Sequence, residues 1–115
     1  MTRRLTATKQ FLARAFLLLG AKVETTRVTG DQAVDLVVEK GPIRHAIQAK
    51  GYHNSVGNGA VQEAVAGMAH YSCNACAVIT NSRFTTSAEE LATSNRCQLI
   101  GEEQIPDLVL GKLGI

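Results

Sequence analysis

The sequence predicts an α/β fold: a mixed central sheet with helices on both faces. Three features lead there. Segments of helical period alternate with short runs rich in β-branched residues. The first three of those runs follow one another with no helix between them. The run ACAVIT at 75–80 is apolar throughout, as a central strand covered on both sides must be. The resulting order, αβββαβαβα, is a three-strand meander leading into helix-connected strands.

Residues 5–19 have Leu5, Leu12, Ala15, Phe16 and Leu19 at helical spacing, with Gly20 as the stop. KVETTRV (22–28) reads as a first strand. QAVDLVVE (32–39) and IRHAIQAK (43–50) read as two more, turning at Gly41-Pro42. Gly57 to Tyr71 reads as a second helix, with Val61, Val65 and Met68 on one stripe. After ACAVIT, Thr86-Ser-Ala-Glu89 has the form of a capping box and opens a third helix through Leu91 and Ala92. Cys97–Ile100 is a last strand and 102–113 a terminal helix.

The 115 residues suit a single domain over 1–115, which buries roughly two-thirds of its unfolded surface. A hydrophobic content of 45% with a net charge of +2 excludes disorder. No apolar run reaches the roughly 18 residues of a membrane span, so no membrane is expected. No signal peptide is read at the N-terminus. Three cysteines argue against a disulfide scaffold and for a reducing, cytoplasmic setting. The charge is uneven: Arg3, Arg4, Lys9, Arg14 and Lys22 stand before the first acid, Glu24, so the remainder is net acidic. A basic segment of this kind suits phosphates, but it equally describes a solvated helix face.

The hairpin carries the chemistry. With Gly41-Pro42 at its centre, residue 40 faces 43, 36 faces 47 and 35 faces 48. Alternation then puts Val34, Leu36, Val38, Ile47 and Ala49 on one face, and Asp35, Gln48 and Lys50 together on the other. A carboxylate, an amide and an ammonium converge. As an exposed ion pair, Asp35 and Lys50 would contribute only ~0–1 kcal/mol. In the middle of VDLVV, however, a charge costs several kcal/mol unless a partner or a metal compensates it.

The blocks TGDQAVDLVV, IQAKGY, AVQEAVAGMAHY, AVITNSRFTTSAEELA and N-x-x-x-LI, in this order from about Phe11 to Leu113, resemble the Mrr-like family of restriction endonucleases, within the PD-(D/E)xK nuclease superfamily. The resemblance implies a restriction endonuclease-like αβββαβ core and Mg2+-dependent hydrolysis of phosphodiester bonds in double-stranded DNA, with Mn2+ as a substitute. It also implies a cytoplasmic role in restriction or defence against foreign or modified DNA. Asp35 matches the metal-ligating aspartate, Gln48 the glutamine that stands for a second carboxylate in this branch, and Lys50 the catalytic lysine. With an amide at 48 the site has one negative charge fewer, so metal binding without DNA should weaken. Two cuts need two sites, so a homodimer is an expected partner.

The first helix departs from the pattern. Relatives have a glutamate there that reaches the metal. This chain has no acid before Glu24, and Lys9 stands near the corresponding place. A catalytically impaired DNA-binding or dimerisation module therefore stands beside the nuclease as an alternative.

Other residues fall around this set. Tyr52, His53 and Asn54 follow the lysine in a glycine-rich loop that a substrate backbone can approach. Gln62 and Glu63 lie on the polar stripe of the second helix, and Gln62 matches the family's helix glutamine. Arg83, after Asn81 and Ser82, is a candidate phosphate contact. Asp31 is a turn residue in TGDQ. The pair in Cys73-Asn-Ala-Cys76 lacks the other ligands zinc needs and reads as core packing.

Overall fold

The computed structural model describes residues 9–26, 34–51 and 54–115. Asp31, Tyr52, His53 and the first eight residues lie outside the described set. The order is α1 (Lys9–Leu18), β1 (Lys22–Thr25), β2 (Leu36–Lys40), β3 (Ile43–Lys50), α2 (Asn58–His70), β4 (Ala75–Thr80), α3 (Thr86–Asn95), β5 (Cys97–Ile100), a 3-10 turn (Glu102–Gln104) and α4 (Ile105–Val109). The five strands lie in sequence order across one sheet. β1–β2 and β2–β3 are antiparallel, and β3–β4 and β4–β5 parallel. The sheet is mixed and has helices on both faces, as expected.

The hairpin register is the expected one: Leu36 opposes Ile47 and Lys40 opposes Ile43. Gly41 supplies the turn's positive φ of 60°. Alternation along β3 then feeds two cores. Leu36, Val38 and Ile47 pack with Leu12, Phe16, Ile79, Ile100, Ile105 and Leu108 under α1 and α4. Val37, Ala46 and Val78 pack with Val61, Ala64, Ala88, Ala92, Cys76 and Cys97 under α2 and α3. Parallel neighbours need crossovers, and right-handed crossovers from β3 to β4 and from β4 to β5 put both connecting helices on one side.

Four expectations are corrected. Val34 belongs to the α2–α3 core rather than to the face of Leu36. The reason is that 34–35 precede regular β2, so strict alternation stops there. The cap of α3 is Thr85, whose hydroxyl accepts from the Ala88 N–H at 3.1 Å, not a box from Thr86 to Glu89. Counted from Thr85, the acid falls one position beyond the third helical residue that a capping box needs. The last helix is much shorter than 102–113. A 3-10 turn precedes it, and Gly111, at φ 73°, breaks the chain direction soon after Val109. Glu63, expected on the solvent stripe of α2, turns inward.

The cysteines are core residues. Cys76 lies opposite Cys97 between β4 and β5, both buried. The hydrogen bond that Cys97 donates to Cys76, together with burial, pushes the Cys97 thiol up. All three cysteines are free thiols.

Candidate active site

β3 ends at Lys50, beside Thr80 at the end of parallel β4. The antiparallel partner β2 begins at the same edge. Here the ladder becomes irregular. The Asp35 N–H donates to the Ile47 carbonyl at 2.9 Å, one residue away from the Asp35–Gln48 pairing that the register would continue to. The Thr26 hydroxyl donates to the Val34 carbonyl, and the Thr26 N–H donates to the Asp35 carbonyl at 3.1 Å. With its backbone held by β1 and β3, Asp35 turns its carboxylate onto β3, where Oδ2 accepts the Ala49 N–H at 2.7 Å. The carboxylate is thus bonded to the peptide N–H that follows Gln48.

Gln48 is 1% exposed, one of three buried polar residues among those described. Its Nε2 donates to Glu63 Oε2 on α2. Its Oε1 is fully buried and accepts no hydrogen bond. Lys50 Nζ lies 3.6 Å from the same Glu63 oxygen, with the lysine side chain 22% and the glutamate 36% exposed. One carboxylate oxygen therefore receives both the amide and the ammonium. A buried acceptor left unpaired costs about 1–3 kcal/mol unless something else meets it.

Glu63 is the member of this set that its place in the sequence, on the polar stripe of α2, does not predict. Its signal was weak, because on a helix of only 13 residues either neighbour of a Gln-Glu pair can be the inward one. The small residues of α2 decide the matter: Ala60, Val61, Ala64 and Gly67 are buried against the sheet, and Gln62 points to solvent. Gly67 marks the closest approach, because a Cβ there would run into Val34.

Thr80 is buried, and its hydroxyl accepts the Ser82 N–H at 3.1 Å. Asn81 Oδ1, close to Gly51, is a second buried acceptor without a hydrogen bond. The loops after β3 and β4 run together: the Val56 N–H donates to Arg83 and the Thr85 N–H to Val56. Asn54 is exposed on this edge. Arg83 is exposed as well, lining a cavity of about 460 Å³ with Glu89, Glu102 and Glu103. Three acids around one arginine make that cavity a poor seat for phosphate.

The first turn of α1 docks near the same edge. Lys9 Nζ donates to the Thr26 carbonyl at 2.7 Å, and the N–H of that residue binds Asp35. α1 contains no acid, so it brings a cation to this end of the sheet.

The hard oxygens at this end of the hairpin are the Asp35 carboxylate, held by the Ala49 N–H, and the unmet Gln48 Oε1. A divalent cation of the magnesium type takes this kind of ligand while keeping several waters. No cluster of three or more acids, histidines or cysteines suited to a metal occurs among the described residues. A cation here would rely on the amide oxygen and on ligands from solvent or substrate.

A family model for the Mrr-type catalytic domain, described as restriction endonuclease, matches residues 5–109. The chain belongs to this restriction endonuclease family. Among solved structures it is similar to a protein of unknown function, AF1548, at 20% identity over 90% of this chain and 64% of that one, with a TM-score of 0.74. It is also similar to the DNA modification-dependent restriction endonuclease AspBHI, at 22% identity over 89% of this chain and 30% of that one, with a TM-score of 0.68. At these identities the likeness establishes a restriction endonuclease-like fold. The chain spans less than two-thirds of the length of either relative. No curated protein matches. Among the described residues of this family member, no helix is long and apolar enough to cross a membrane.

Proposed function

We propose that this chain is a nuclease domain that hydrolyses phosphodiester bonds in double-stranded DNA at Asp35, Gln48 and Lys50, using Mg2+ or, in its place, Mn2+. The observation that carries the reading is the buried, unbonded Gln48 Oε1 on the strand whose next peptide N–H holds the Asp35 carboxylate. Most buried structural amides have both ends satisfied. In Gln48 only the nitrogen is met, by Glu63, and the oxygen is left over.

Asp35 and Gln48 would hold the cation, which when bound polarises a phosphoryl oxygen and lowers the pKa of a coordinated water. Asp35 is fixed for this by the Ala49 N–H, which leaves Oδ1 for the ligand role. Lys50, at the open end of β3, sets its ammonium where negative charge develops on the phosphoryl oxygens. The N-termini of α2 and α3 open side by side on this edge, Gly57 lying against Thr85 Oγ1. Their positive dipole ends favour a DNA backbone. Asn54 is exposed on this edge, and Asn54, Tyr52 and His53 are proposed as DNA contacts, the last two from the sequence alone. Gln62, exposed on α2, and Arg83, exposed after β4, are further candidate contacts, Arg83 the poorer because Glu89, Glu102 and Glu103 surround it. A role in cytoplasmic restriction, with target recognition from a homodimer partner or from sequence beyond this domain, fits a chain that spans 30% of AspBHI.

Supercoiled plasmid incubated with the protein and Mg2+ or Mn2+ tests the reading. We expect nicking that Lys50→Ala lowers by about 10²–10³-fold, the effect of removing one group that stabilises transition-state charge. Equal cleavage by wild type and Lys50→Ala would overturn it. One observation favours a second reading, a DNA-binding module without catalysis: Lys9 stands where an acid of α1 would complete the site. Plasmid binding with no cleavage under either metal would establish that alternative.

A further inference from the structure

We infer that Glu63 is a positioning residue of this site: it fixes the Gln48 amide so that the oxygen, not the nitrogen, is the end left for a cation. The inference deepens the nuclease reading and rests on it. An amide presents a donor at one end and an acceptor at the other, and the two are close in size. A buried glutamine with no preference would offer either end to its surroundings, and a nitrogen facing a cation repels it. A carboxylate can only accept. The Gln48 Nε2–Glu63 contact therefore selects one orientation, and the orphaned Oε1 is its consequence.

Glu63 also returns to the site the negative charge that an amide at position 48 removes, from a helix instead of a strand. The same Oε2 takes the Lys50 ammonium at 3.6 Å. One side chain thereby orients both members of the QAK segment. The helix carrying it is held firmly: Ala60, Val61, Ala64 and Gly67 bury its inner face against β3 and β4.

Titration of the full chain with Mn2+ alone, without DNA, tests this by calorimetry. Glu63→Gln should weaken Mn2+ binding by about 10–100-fold, as loss of a group that orients a metal ligand does. Glu90→Gln, which removes the same charge from an exposed part of α3, should leave it unchanged. The exchanged pair Gln48→Glu with Glu63→Gln restores a donor–acceptor contact of opposite sense and the same total charge, and should recover most of the affinity. In the metal-free protein, the Gln48 side-chain amide protons should exchange faster with solvent in Glu63→Gln than in wild type, a readout independent of metal and of activity. Unchanged Mn2+ affinity in Glu63→Gln, or an exchanged pair that binds no better than Glu63→Gln, would overturn the role of Glu63 alone. Absence of Mn2+ binding to wild type would overturn this inference, while plasmid nicking with Mn2+ decides the nuclease reading separately.

Discussion

The two faces of the sheet are built from different materials. Under α1 and α4 the core is made of large side chains, Leu12, Phe16, Leu36, Ile47, Ile79, Ile100, Ile105 and Leu108. Under α2 and α3 it is made mostly of alanine, valine and cysteine, with Gly67 at the tightest point. Large residues remove more apolar surface from water, and small ones let a helix backbone come close to the strands. The first face stabilises the domain. The second trades burial for proximity, which brings Glu63 within reach of Gln48 and Lys50. The candidate site lies at the edge of the face that is poorer in apolar bulk.

If that division of labour is right, damage to each face should read out differently. Phe16→Ala on the large-residue face should cost ~3–5 kcal/mol. At ~4–8 °C per kcal/mol for a domain of this size, the thermal midpoint should fall by more than about 10 °C. Metal affinity measured well below the midpoint should not change. A comparable loss of metal affinity would erase the distinction between the faces.

Gly67→Ala on the small-residue face should cost less stability, about 1–3 kcal/mol for the clash with Val34. That is partly offset by the better helix propensity of alanine, worth ~1 kcal/mol. Because Val34 adjoins Asp35 and α2 carries Glu63, this variant should lose Mn2+ affinity in the folded protein. Chemical denaturation and calorimetry on one sample compare the two quantities.

The smallest effect concerns His45, 7% exposed on the large-residue face. Burial lowers its pKa below the ordinary imidazole value of about 6.5. The unfolded chain therefore takes up this proton more readily than the folded one, and stability falls as pH drops from about 6.5 towards the lower folded value. Thermal midpoints across pH 5–8 should show wild type losing more than His45→Gln on the acid side. Parallel curves would mean that His45 carries no such load.

Much of the scaffold was legible because it follows from local rules. The β2–β3 register comes from a two-residue turn with glycine at its centre and from alternating apolar positions, and one pairing satisfies both. β4 was legible because ACAVIT is apolar on both sides. The site was legible only in part. Gln48 and Lys50 share a face through their spacing alone. Asp35 reaches them by a different route from simple alternation, through a break in the ladder at 34–35 and a bond to the Ala49 N–H. The cap of α3 and the early stop of the last helix depended on single hydroxyl and φ choices that a pattern does not resolve.

The sequence by itself determined the order of elements along the chain, the hairpin register and the residue types available to bind a cation, since each is set by neighbours along the chain or across one turn. Only the tertiary structure decided that Glu63 and not Gln62 turns inward, that Lys9 closes the first helix onto Thr26, and that the Gln48 oxygen is left without a partner. Those outcomes depend on how closely α2 and α1 approach the sheet. That distance is set by packing between residues far apart in sequence, such as Gly67 and Val34, and no local pattern contains it.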